Sequence, residues 1–312
     1  MGVQVPSPGP VRLNELLETN SFFYIKSLYN FSVLKYNHGY DKKRGLYMKK
    51  VLIVLISLLF VLCGCSNKTE GNKSSDLEYI KEKGTLIVGI TYFEPMDYQE
   101  NGEWIGFDAD LANAIGEKLG VEVVFQEISW ATKETELASK TIDCIWNGLT
   151  YSDERAENMS MSDYYMSNKQ VVVVRKEDAD KYTNIEDFVG LNMAAESGSA
   201  GEEIVLNEFK DSNYIEKSIQ LDALTELVSK NCDVAVLDYV MAYYLLNKED
   251  SSFSELTVLD EIIEAEDEYY AIAFRKGSDV TEVVNKYLKE MKNDGTIETI
   301  ANKYGLKDAI VY

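Results

Sequence analysis

The sequence predicts an α/β protein made of two successive α/β units. Three observations carry this: apolar strand-like runs alternate with helical patterns, a second such series follows the first, and one run is wholly apolar. The first run is Thr85-Leu86-Ile87-Val88-Gly89-Ile90. Leu111, Ile115 and Leu119 then recur at i, i+4 and i+8 and stop at Gly120, the spacing and stop signal of an amphipathic helix. Val121 to Ile128 is expected as the next strand, Thr132 to Ser139 as a helix and Ile142 to Trp146 as a strand. Val171 to Val174 has no polar alternate face, as expected of a strand in a parallel sheet covered on both sides. The second series reads as strand Leu191 to Ala195, helix Gly201 to Phe209, helix Ala223 to Ser229 behind an Asp222 cap, and strand Cys232 to Leu237. Tyr270 to Phe274 is expected as a last strand. Val280, Val283, Val284, Tyr287, Leu288 and Met291 share one face of a closing helix that ends near Gly295. No short repeat is present, which excludes a solenoid.

Charge divides the 312 residues unevenly. Before Cys65 there are eight Lys or Arg against three Asp or Glu; from Cys65 onward there are 23 against 50, a formal charge near −27. The break coincides with a targeting pattern: basic Met48-Lys49-Lys50, an apolar stretch from Val51 to Leu62, then Leu62-Cys63-Gly64-Cys65. Twelve residues are too few for a membrane span, which needs about 20. Residues 48–64 are therefore expected to be a secretory signal and Cys65 the lipidated first residue of the exported chain, because the Leu-x-Gly-Cys ending resembles a bacterial lipobox. Residues 1–47 precede the natural start at Met48 and are expected to be a non-native or untranslated leader. Residues 65–77 are small and polar and are expected to form a flexible linker.

The composition also excludes chemistry. His38, the single histidine, lies in the leader, so the exported part has no imidazole for Ser-His-Asp or Cys-His catalysis or for a His-containing zinc site. No metal or other cofactor is expected. Cys144 and Cys232 each sit in an apolar run and are expected as buried free thiols. Strong acidity argues against a nucleic-acid partner, which is bound by basic patches. With no histidine, ligand affinity is expected to vary little between about pH 6 and 8.

Five segments in order resemble the bacterial family 3 extracellular solute-binding proteins: Gly106-Phe107-Asp108-Ala109-Asp110-Leu111-Ala112, Ile142-Asp143-Cys144-Ile145-Trp146-Asn147-Gly148-Leu149-Thr150, Glu154-Arg155-Ala156, Ser162-Asp163-Tyr164-Tyr165, and Asp233 to Asp238. The likeness runs from Lys81 to the Asn302-Lys303-Tyr304-Gly305 ending. It implies a type II periplasmic-binding-protein fold: two α/β lobes, two crossover segments, and a ligand cleft between them. Lobe 1 would comprise residues 78–169 and 269–312, and lobe 2 residues 170–268. The implied function is that of an ABC importer's lipid-anchored receptor at the extracellular face of the membrane, a monomer delivering a polar amino acid to permease subunits.

The resemblance assigns roles residue by residue. Arg155 matches the arginine that holds the ligand carboxylate, and a guanidinium can fork two parallel bonds onto that group. Read alone, it would be a solvated charge paired with Glu154. Thr150 and the Gly148 backbone match positions that bond the ligand from the same lobe. Glu196-Ser197-Gly198-Ser199-Ala200-Gly201-Glu202 resembles a loop entering a helix, where free N–H groups and the helix dipole attract an anion; Ala200 stands where a hydroxyl residue is usual. Asp238 matches the acid that pairs with the ligand ammonium, although an isolated Asp there would more often cap the next helix. Tyr92, Phe93, Trp130 and Trp146 are candidates for the pocket walls. An enzyme related to cyclohexadienyl dehydratase is the alternative, with Glu134, Glu136 or Glu202 as its acid; a chemosensory receptor is another.

Overall fold

The computed structural model describes residues 75–259, 262–263 and 268–311. The leader, the signal segment and Cys65 lie outside the described residues, as does all but the end of the expected linker. Helix α1 (Asp76–Lys83) starts earlier than the linker range 65–77 allowed. The Ser75 hydroxyl caps it by accepting the Glu78 N–H, and Ser75 Oγ and the Leu77 N–H both donate to Asp279, so long-range bonds fix a start that local polarity did not signal.

Two five-stranded sheets follow. The first has the order β4-β1-β5-β14-β6, with β1 (Thr85–Ile90), β4 (Glu122–Glu127), β5 (Cys144–Ile145), β6 (Met159–Met161) and β14 (Ala273–Arg275). The second has the order β10-β9-β11-β8-β12, with β8 (Gln170–Arg175), β9 (Asn192–Glu196), β10 (Asn213–Lys217), β11 (Val234–Asp238) and β12 (Leu256–Leu259). Between them in the chain, β7 (Met166–Asn168) and β13 (Glu268–Tyr270) pair antiparallel as a separate ribbon. The chain thus passes from one sheet to the other and back through two adjacent strands. A hairpin of β2 (Tyr98–Glu100) and β3 (Glu103–Ile105) completes the strands.

Both sheets are mixed, which corrects the expectation of parallel sheets. β1 runs parallel to β4 and β5, and β9 parallel to β10 and β11, but β8 is antiparallel to β11 and β14 is antiparallel to β5. Val171 to Val174 are all buried, as the apolar run required, yet burial on both faces says nothing of direction. β8 enters its sheet straight from the ribbon, without the crossover helix that makes neighbours parallel. The expected strand Tyr270 to Phe274 divides for the same reason: its start lies in β13 and its end in β14.

Helix α2 (Phe107–Leu119) buries Leu111, Ala112, Ile115 and Leu119 against the first sheet and ends at Gly120 in the left-handed conformation. Each buried leucine or isoleucine among them contributes roughly 1.5–3 kcal/mol relative to exposure. Its entry requires glycine: Gly106 has φ +132°, and a Cβ there would lie 2.0 Å from the Met96 carbonyl oxygen. α3 (Lys133–Ala138) and α4 (Asp153–Asn158) are short. α5 (Ala200–Glu208), α6 (Gln220–Val228) and α7 (Tyr239–Asn247) accompany the second sheet. α6 begins two residues before Asp222, so Asp222 is not its cap but an acid in its first turn, favourable to the helix dipole. α8 (Val280–Asn293) buries Val280, Val284, Leu288 and Met291, and α9 (Thr296–Lys303) is the last α-helix among the described residues. Cys144 and Cys232 are buried free thiols.

Candidate ligand-binding site

A narrow cavity lies where the C-terminal ends of β1 and β5 face those of β9 and β11. Phe93, Trp130, Gly148, Thr150, Arg155, Ser199, Ala200 and Asp238 line it, so most of the expected residues come together from both lobes.

The first lobe supplies a braced loop. Asn147 accepts the Thr91 N–H and hydroxyl at 2.6 and 2.8 Å and donates to the Thr91 carbonyl and to Asp97, locking the end of β1 to the end of β5. Gly148 then turns with φ +57°, and a Cβ there would lie 2.5 Å from Phe93 Cε1. Its N–H donates to Asp108 Oδ2 at 2.7 Å, which leaves the Gly148 carbonyl, not its N–H, for a ligand. Arg155 is buried. Its Nη1 donates to the Thr150 carbonyl at 2.8 Å and its Nη2 pairs with Glu203 at 2.6 Å, across the cleft on α5 and not with neighbouring Glu154.

The second lobe supplies a helix start and a buried acid. The Ser199 hydroxyl caps α5 by accepting the Glu202 N–H, and Glu202 in turn accepts the Gly198 N–H, so side chains satisfy part of the loop. The first turn of α5 still presents its N–H groups and positive dipole end. Asp238 precedes α7 but makes no side-chain capping bond, which removes the cap reading. Instead its Oδ1 accepts bonds from Asn168, Gln170 and Tyr270, and its Oδ2 one from Gln220. Burial raises its pKa, and those four neutral donors oppose the rise.

Two expected wall residues are elsewhere. Trp146 is fully buried in the core, with its indole N–H on the Asp108 side, because Asn147 and Gly148, not Trp146, turn toward the cavity. Tyr92 faces away, among Glu94, Lys248 and Tyr244, while its neighbours Thr91 and Phe93 face inward, the alternation of extended chain. Sequence reasoning missed Thr91, Asn147, Leu149, Glu196 and Gln220 as lining residues. Glu196 and Gln220 stand at the end of β9 and the start of α6, and both ends differ from the expected element bounds.

Titration in the neutral range does not need histidine here. Burial pushes Asp108 up to about 7, opposed by the Gly148 N–H, the Tyr165 hydroxyl and Trp146; burial and then the charge of Asp108 hold Asp97 well above the usual carboxylate range. Burial beside Arg155 brings Lys133 down to about 8. The missing histidine therefore does not make the stability of the fold independent of pH in this range. The linkage has a definite sign: the folded protein keeps protons on the Asp97–Asp108 pair that the unfolded chain releases near pH 4. Stability is expected to fall as pH rises from about 4 through about 7. Urea unfolding midpoints at pH 5 and 8 measure this; Asp108→Asn should show the smaller drop, and an equal drop would contradict the assignment.

Two sheet-bearing lobes, joined by paired crossing strands around a polar interlobe cavity, define a type II periplasmic-binding-protein fold. The model of the bacterial extracellular solute-binding proteins, family 3, matches residues 86–307, and the chain belongs to that family. It is 30% identical to the arginine-binding extracellular protein ArtP of Bacillus subtilis (strain 168) over 269 residues, covering 82% of this chain and 98% of ArtP. Among solved structures it resembles an ABC uptake transporter substrate-binding protein from Streptococcus pneumoniae with bound histidine, at 30% identity and TM-score 0.69, covering 77% of this chain and 99% of the other. It also resembles the ancestral amino acid-binding protein AncCDT-1, a precursor of cyclohexadienyl dehydratase, at 30% identity and TM-score 0.68, covering 74% and 99%.

Proposed function

We propose that the chain is the amino-acid receptor of an ABC importer, with one zwitterion held by Arg155 and the start of α5 at its carboxylate and by Asp238 at its ammonium. One observation carries this reading: buried groups of opposite charge, one from each lobe, line the same small cavity. The amino-acid ligands named for the relatives support it. The Gly148 carbonyl completes the ammonium contact from the first lobe, and the Thr150 hydroxyl, which donates to Glu268 at 3.2 Å, would turn from it to reach the carboxylate. Glu134, Glu136 and Glu202, the acids considered for a dehydratase, do not line the cavity, which favours a receptor over an enzyme. A thermal-shift screen against the common amino acids tests the proposal, since a ligand at 100 times its Kd adds about 2.7 kcal/mol to stability. Turnover of prephenate without stabilisation by any amino acid would overturn it.

Anchoring through a lipid on Cys65 belongs to the same proposal and rests on the Leu62-Cys63-Gly64-Cys65 ending. Cys65→Ser is expected to leave the protein unprocessed or released into the medium. Unchanged mass and membrane retention, read by mass spectrometry and fractionation, would refute the anchor.

A further inference from the structure

We propose that Glu196 recognises a positive charge on the ligand side chain, so that the receptor's substrate class is the cationic amino acids. This rests on the amino-acid reading above and adds the identity of the side chain. Glu196 ends β9 and Asp238 ends β11, its parallel neighbour in the second sheet, so two carboxylates enter the cavity side by side. Their states of satisfaction differ. Asp238 accepts four hydrogen bonds, whereas Glu196, only 2% exposed, keeps Oε1 buried without a hydrogen-bond partner among the described residues. A buried acceptor left open in a ligand cavity is costly unless the ligand fills it.

The nearby protein cation does not fill it. Lys133 directs its Nζ to the Trp130 and Gly198 carbonyls, at 3.2 and 2.7 Å, and forms no ion pair with Glu196. Glu268, the other acid near Asp238, is already bonded by Thr150, Asn168 and Gln170 and does not line the cavity. Once the ligand's α-carboxylate meets Arg155 and its α-ammonium meets Asp238, Glu196 is the remaining acidic side chain in the cavity wall. A guanidinium or a second ammonium supplies the missing donor and favours the carboxylate form of Glu196. Phe93 in the wall suits such a side chain, since its ring can pack methylene stems, whereas the Trp130 ring already carries the Lys133 ammonium 4.8 Å from its centroid. Burial and the charge of Asp238 favour the protonated form of Glu196 in the empty protein, so a cationic ligand would be bound with release of a proton.

The competing occupant is a neutral side chain that accepts a bond from protonated Glu196. L-arginine and L-citrulline separate the two, because they match in length and shape but only arginine is charged. Calorimetric titration of the parent is expected to show arginine bound at least about tenfold more tightly than citrulline, the scale of one charge-assisted hydrogen bond. In Glu196→Gln, whose side chain keeps the same shape, that preference should shrink to less than about threefold, mainly through loss of arginine affinity. Citrulline binding as tightly as arginine to the parent overturns the inference while leaving the amino-acid receptor intact. An unchanged preference in the variant does the same, and the parent's own ranking decides if the variant does not fold. Absence of binding by every amino acid in the screen would instead remove the receptor reading on which the inference stands.

Discussion

Asp238→Asn is expected to weaken amino-acid binding by well over tenfold, because removing one member of a buried charge pair typically costs about 2–5 kcal/mol. Asparagine is the informative replacement. Asp238→Ala would also strip the acceptor from Asn168, Gln170, Tyr270 and Gln220, four buried donors, and would lower stability along with affinity. The asparagine oxygen can still take the three donors that now meet Oδ1. Its amide nitrogen, in place of Oδ2, would confront the Gln220 amide nitrogen, and Gln220 is fixed in orientation by the Asp238 N–H at 3.0 Å on its Oε1. A modest fall in melting temperature with a large fall in affinity is therefore the expected pair of results, read by calorimetric titration and thermal denaturation. Near-parental affinity would show that the ammonium is held elsewhere.

Arg155→Lys should lose a comparable amount, although it conserves charge. The guanidinium serves three directions: the Thr150 carbonyl, Glu203 across the cleft, and the proposed ligand carboxylate. An ammonium offers a point charge on a flexible stem and cannot span all three with one fixed plane. The pair with Glu203 contributes little by itself, because the Glu203 side chain is 58% exposed and solvent-screened pairs of this kind are worth about 0–1 kcal/mol. Arg155→Lys is expected to lower affinity by more than about tenfold, through loss of forked carboxylate recognition, while Glu203→Gln changes it far less. Equal effects of the two substitutions would mean that Arg155 acts by bridging the lobes and not by gripping the ligand.

The resemblance made these two residues visible, and their places in the chain agree with it. Arg155 and Asp238 sit at fixed offsets from Thr150 and from the run beginning at Asp233, and those runs end strands, where open α/β sheets expose their sites. Periodicity likewise revealed α2 and α8, whose apolar faces are buried. What stayed hidden depends on direction and long-range partners. The valines of β8 disclosed burial but not antiparallel pairing. Trp146 and Tyr92 are aromatic and adjacent to lining residues, yet one side chain turns into the core and the other away from the cavity, and no spacing rule fixes which way an isolated residue at a strand end points. Glu196 was visible only as the first letter of a loop, since its open Oε1 is a property of the neighbours it lacks. Asp108 belonged to a recognisable motif, but its bond to Gly148 joins residues 40 apart.

The ribbon of β7 and β13 also fixes the order in which the molecule can be completed. Every strand of the second sheet lies within one stretch of chain, from Gln170 to Leu259, whereas the first sheet needs β14 to stand between β5 and β6. A polypeptide emerging N-terminus first therefore makes the beginning of the first lobe early but can finish its sheet only after the entire second lobe has appeared. The inserted lobe can close its core locally, while β1, β4 and β5 wait with one face of the ladder unpaired. For an exported chain this places the longest exposure to misassembly in the part made first, and leaves the edge of β5 as the segment a folding helper would have most reason to shield.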